Sequence, residues 1–140
     1  MSFTDTKSWA NEMFGMCELK DQRRTQRLVR TAEHVAENPS AGFPDQMETW
    51  ADLKAAYRLF DCADVTFANV AAGHWQNTRQ QAVGRTLVIC DTTEIDFGSR
   101  RKIAGVGPTG NGSGRGFLLH NVMLVDAETR AALEQFQTSF

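Results

Sequence analysis

The chain has 140 residues, 41% of them hydrophobic and 23% charged, the composition of a soluble globular protein with room for one domain, or for a small domain and part of another. A formal net charge of −2 excludes nucleic-acid binding by bulk charge, so any such role rests on local clusters. No run approaches the ~18 apolar residues of a membrane helix, and Met1 to Lys7 lacks the apolar core of a signal peptide.

Helices are expected over the first 80 or so residues. Thr4 or Asp5 caps a first helix to about Met16, with Trp9, Met13 and Met16 on one side. Cys17 follows; with Cys62 and Cys90 it makes an odd number of widely spaced cysteines, read as reduced thiols of a cytosolic protein. Asp21 leads a second helix through Asn38, which Asn38-Pro39 ends. On it Lys20, Arg23, Arg24, Arg27 and Arg30 recur at spacings of three and four and span an arc of roughly 120°. Leu28, Val29, Ala32, Val35 and Ala36 lie on another side. The cationic face suits phosphate contacts. Its structural alternative is a solvated face with Glu33 and Glu37 as ion-pair partners.

Ala41 to Pro44 reads as a turn, with Pro44 opening a third helix through about Phe60. Met47, Trp50, Ala51, Leu53, Ala56, Tyr57 and Phe60 give it a broad apolar face. Asp64 caps a fourth helix carrying Phe67, Val70, Ala71, His74 and Trp75. The tryptophans occupy plausible core positions, with base stacking as the alternative.

The pattern changes after Gly84. Thr86 to Cys90 reads as a buried strand, with Asp91 where it reaches solvent. An acid at the exposed end of a central strand is a natural metal ligand; capping of the next turn is the alternative. Glu94 and Asp96 alternate with Ile95 and so point the same way. Gly98 to Gly116 is a loop holding seven of the eleven glycines, with Arg100, Arg101, Lys102 and Arg115 placed near a polyanion, or simply a flexible connection. Gly105, Gly107 and Gly110 match GxGxxG literally, but they precede a strand where a dinucleotide fingerprint must open a helix. Phe117 to Val125 is a second strand and Asp126 to Thr129 a hairpin turn. His34, His74 and His120 share no ligand spacing, and Ser113 sits in no nucleophile elbow.

Four of these pieces, in order, resemble one family. Lys20 to Leu28 resembles the D-x-R-R-x-x-R-L segment of bacterial cut-and-paste transposases of the family named after insertion sequence four, which includes the transposase of transposon Tn-five. Trp50 to Phe60 is similar to its K-A-A-Y-R-F-F helix, Asp91 to Phe97 to its D-T-T strand end, and Gly110 to His120 to its glycine loop and second strand. The resemblance implies an α+β chain: a helical transposon-end binding domain (1–82), then the first strands of an incomplete ribonuclease-H-like catalytic domain (83–140). It implies double-stranded DNA as partner, with full-length transposase or a homodimer as protein partners, no membrane, and a cytoplasmic, nucleoid-associated location.

In that family an Asp-Asp-Glu triad binds two Mg²⁺ or Mn²⁺ ions, and Asp91 matches the first Asp. Glu94 and Asp96 do not match the other two acids. Residues 131–140 are polar and depart from the family's third strand, so an incomplete sheet is expected. The resulting expectation is a truncated transposase that binds DNA without cleaving it. The alternatives are a non-catalytic regulator of full-length transposase, an inert remnant, or a small nuclease using Asp91, Glu94 and Asp96.

Overall fold

The computed structural model describes residues 5–100, 102–110 and 112–139. The fold is α+β, with helices first and an antiparallel sheet after them. It divides into a helical unit ending at Gln76 and a second unit from Asn77 that contains the strands.

The helical unit begins with α1 (Thr6–Phe14), where the Asp5 carboxylate accepts the Ser8 N–H at 2.7 Å. The helix ends at Gly15, whose N–H reaches the Asn11 carbonyl at 2.8 Å and where a Cβ would collide with that same oxygen. Because the helix stops there, Met16 is 85% exposed and does not share a face with Trp9 and Met13. Helix α2 spans Gln22–Glu37, with Asp21 as N-cap and Asn38 as C-cap, as its capping signals predict.

The single helix expected from Pro44 to Phe60 is two: α3 (Phe43–Gln46) and α4 (Trp50–Phe60). Met47 is extended (φ −85°, ψ 133°). Thr49 then restarts the helix, its hydroxyl accepting the Asp52 N–H at 3.1 Å and donating to the Asp52 carboxylate at 2.6 Å. Trp50, Tyr57 and Phe60 are 72%, 51% and 50% exposed, so α4 buries a narrower face than its composition suggests. Helix α5 (Phe67–Gln81) is led by Thr66, whose hydroxyl accepts the Asn69 N–H at 3.2 Å. Asp64 does not cap it; that carboxylate is drawn to Lys20 and Arg24.

Two apolar clusters hold these helices. Cys17, Leu19, Leu28 and Leu59 pack with Phe14, Val65 and Val70. Met47, Leu53 and Ala56 pack with Val35 and Phe43. Each fully buried leucine contributes about 2 kcal/mol of transfer free energy. Thr25, buried between them in sequence, donates its hydroxyl to the Cys17 carbonyl at 2.8 Å and so leaves no unmet polar group.

The strand unit is one four-stranded antiparallel sheet: β1 (Thr86–Asp96), β2 (Gly107–Thr109), β3 (Gly114–Asp126) and β4 (Ala132–Ser139). The central strand is β3, with β1 on one side and β2 and β4 on the other. Asp91 therefore stands mid-strand on an edge strand, not at the end of a central one. Leu87, Val88 and Ile89 are 49%, 61% and 48% exposed, against the expectation of a buried run. An apolar run becomes buried only where a second layer covers it, and a single sheet does not supply one. The glycine segment contributes β2 rather than loop alone, and the polar tail forms β4 against β3. The turn at Asp126 forms as expected: its carboxylate accepts the Glu128 and Thr129 N–H groups at 2.9 and 2.6 Å. Cys17, Cys62 and Cys90 are free thiols, Cys17 buried and Cys90 exposed.

Candidate nucleic-acid interface

Helix α2 places Arg23, Arg24, Arg27 and Arg30 as the 3.6-residue period requires, whereas Lys20 precedes the helix with a φ of 62°; the fold then pairs each of the five with an acid. Arg23 grips Asp21 at 2.8 Å. Lys20 and Arg24 share Asp64, at 2.7 and 2.8 Å. Arg27 reaches Asp52 at 3.0 Å, and Arg30 reaches Glu48 at 3.2 Å and Asp52 at 3.3 Å. Five cations thus face four carboxylates, leaving one net positive charge. The partners are not Glu33 and Glu37; Glu37 instead approaches the His34 ring at 3.7 Å. The acids feel the pairing. Arg23 holds the Asp21 carboxyl down at about 2. Thr49, then Arg30 and Arg27, lower Asp52 despite its burial, and Lys20 and Arg24 lower Asp64.

These pairs differ in how much donor capacity they leave outward. The Lys20 and Arg23 side chains are 74% and 88% exposed, while Arg24 and Arg27 are 32% and 35% exposed. A guanidinium has five N–H donors, so Arg23 keeps donors for a phosphate beyond its bond to Asp21. Arg24 and Arg27 are mainly clasps to neighbouring segments.

His34, Glu48 and Asp52 bring three ligand-type atoms within 4.8 Å of one another. Arg30 already donates to all three: to His34 Nε2 at 3.3 Å, to Glu48 at 3.2 Å and to Asp52 at 3.3 Å. The cluster is thus the seat of a guanidinium. A groove of about 890 Å³ alongside is lined by Lys7 and Arg30 but also by Glu33, Glu37, Asp45 and Glu48, so it offers no single-sign field for an anion.

Two further cations of the helical unit lie on α4, which sequence reasoning did not single out. Its buried residues, Asp52, Leu53, Ala56 and Leu59, leave Trp50, Lys54, Tyr57 and Arg58 on the outward side, all exposed. Among the described residues, Lys54 and Arg58 make no ion pair or hydrogen bond. Their spacing of four was the available signal: a Lys–Arg pair beside two aromatics on one helical face.

In the strand unit Arg100, Lys102 and Arg115 are exposed, and Arg115 donates to the Val106 carbonyl at 2.8 Å. Arg101 lies outside the described residues. Asp91 is exposed, with the Thr93 hydroxyl at 3.4 Å. The extended course of β1 puts Glu94 and Asp96 on the face opposite Asp91. They are occupied there: Glu94 accepts the Gly110 N–H at 3.0 Å and Asp96 the Gly98 N–H at 2.6 Å. The three acids do not converge.

Residues 6–65 match the family model described as transposase DNA-binding. The matched segment begins with α1 and ends just before α5, so it contains α2, α4 and the buried residues of both apolar clusters. The match supports a transposase N-terminus in this helical segment, with DNA as its partner. Among the described residues no helix is long and apolar enough to cross a membrane.

Proposed function

We propose that the chain is a fragment of a cut-and-paste transposase of the insertion-sequence-four type: its helical unit binds double-stranded transposon-end DNA, and its sheet is the start of a ribonuclease-H-like domain. The family match over residues 6–65 carries the DNA-binding transposase part of this reading. The resemblance of the segments at Lys20, Trp50 and Asp91 supports it. Lys54 and Arg58 on α4, with Lys20 just before α2 and Arg23 in its first turn, supply phosphate contacts, and Trp50 and Tyr57 supply apolar or stacking contacts beside them.

The test is duplex binding measured across a range of salt. Lys54→Glu with Arg58→Glu should weaken binding and lower the salt slope by about 2. Unchanged affinity and slope would refute the α4 assignment. Arg24→Glu and Arg27→Glu remove the partners of Asp64 and Asp52, so loss of binding in those variants counts only where circular dichroism shows an intact fold.

The family's Mg²⁺ or Mn²⁺ calls for oxygen donors. Asp91 offers a carboxylate, and Asn121, directly across on β3, has a buried side-chain oxygen without a hydrogen-bond partner. Both fit part of such a shell. A metal held there would polarise a phosphoryl oxygen and activate water. With Glu94 and Asp96 turned to the other face, the chain assembles one carboxylate of a triad. We expect weak Mg²⁺ binding and no strand transfer by the purified chain on end-containing DNA; robust metal-dependent joining would overturn this.

A further inference from the structure

The three residues that hold Arg30 also meet the requirements of a metal shell. His34 comes from α2, Glu48 from the link between α3 and α4, and Asp52 from α4, each with a ligand-type atom within 4.8 Å of the other two. A guanidinium only donates, so His34 Nε2, which receives the Arg30 Nε–H at 3.3 Å, presents a lone pair and the ring proton lies on Nδ1. Nδ1 faces the Glu37 carboxylate at 3.7 Å, the kind of outer partner that orients a metal-binding imidazole and raises its basicity. Asp52 has outer partners too: the Thr49 hydroxyl donates to it at 2.6 Å and Arg27 at 3.0 Å. His34 and Asp52 are 9% and 7% exposed, so packing holds both in place before an ion arrives. Glu48 is exposed and lines the groove with His34, and the charged walls of that groove are four acids against two cations, an approach that favours a cation.

We propose that His34, Glu48 and Asp52 form a site for a divalent transition-metal ion of the Zn²⁺ class, which competes with Arg30 for the same seat. One imidazole and two carboxylates supply three ligands, and water from the groove completes a tetrahedron. The imidazole selects Zn²⁺ over Mg²⁺, which takes oxygen donors. Arg30 brings one positive charge to this pair of carboxylates, and the ion brings two. The Arg30 side chain is half exposed, so on exchange its guanidinium turns into water and forfeits only weak surface pairs. The ion then ties α2 to α4 through coordinate bonds where Arg30 did so through hydrogen bonds.

Equilibrium dialysis of the full chain against Zn²⁺ at neutral pH, without DNA, tests the site independently of the DNA-binding reading. Cys62→Ser and Cys90→Ser are carried throughout, to remove the thiols with solvent access. One bound ion is expected. His34→Gln should remove it, Glu37→Gln should weaken it about tenfold, and Asp91→Asn should leave it unchanged. Arg30→Met takes away the competitor and should tighten binding about tenfold, a gain that misfolding does not produce. No bound ion, an ion retained in His34→Gln, an ion lost in Asp91→Asn, or an affinity that Arg30→Met fails to raise would each overturn the proposal.

Discussion

Asp52 is the residue on which the helical unit turns. It is 7% exposed, sits at the third position of α4, and accepts from Thr49, Arg27 and Arg30. Replacing it with Ala leaves Arg27 without its acid, takes one of two acids from Arg30 and removes the acceptor of the Thr49 hydroxyl, so Asp52→Ala should cost about 2 kcal/mol, and Thr49→Ala about 1 kcal/mol. The urea midpoint of tryptophan fluorescence measures both, because Trp9, Trp50 and Trp75 all lie in the helical unit. The paired acids also set a pH dependence. Asp21, Asp52 and Asp64 all titrate lower in the folded chain than the ~3.9 of a free carboxyl. Below about pH 4 the unfolded chain therefore takes up more protons, and the stabilisation falls progressively as pH drops toward the Asp21 value of about 2. A urea midpoint that declines between pH 5 and about pH 3 is the expected result. The arginine stripe was legible in the sequence because it follows a helical period. Its partners were not, because Asp52 and Asp64 come from 25 and 40 residues away and only packing brings them to α2.

At the scale of elements, caps were more informative than composition. Asp5 and Asp21 predicted helix starts that the structure has, and Thr49 with Asp52 carried the missed signal for a new start within the expected third helix. For the strands, length and order escaped the sequence. Apolar content suggested a strand ending at Cys90, whereas pairing with β3 carries β1 on through polar Thr92, Glu94 and Asp96. Backbone pairing does not require apolar side chains, so β4 forms from a polar segment too. The same pairing explains a demand for glycine. A Cβ on Gly116 would collide with the backbone of Asp96, its partner on β1, and of the preceding Ile95. Gly116→Ala should therefore loosen β1 from β3 at that end by about 1–3 kcal/mol. Faster amide exchange at Phe97, which donates to Arg115, would report it.

Across the whole molecule the apolar interior is unevenly distributed. All of the buried hydrophobic residues among those described lie between Ala10 and Leu59. The strand unit has pairing but little enclosed apolar volume, and exposes Leu87, Val88, Ile89 and Leu118. The two units should therefore differ in resistance to denaturant. We expect amides of β1 and β3 to lose exchange protection at lower urea than those of α2 and α4, and the native chain to bind a hydrophobic dye at neutral pH. A single coincident transition for both sets of amides would contradict this. The candidate site follows the same division: the cations of α2 and α4 were within reach of sequence reasoning, while the separation of Asp91 from Glu94 and Asp96 required knowing that β1 stays extended through all three.

The shared clasp at Asp52 has an evolutionary consequence. Arg27 and Arg30 share one carboxylate, although Arg30 also reaches Glu48, so a change at any of the three positions alters the fitness of changes at the other two. Over descent, residues 27, 30 and 52 should drift as a linked set, while Lys54 and Arg58, which take no part in the clasp, stay free to vary independently of it.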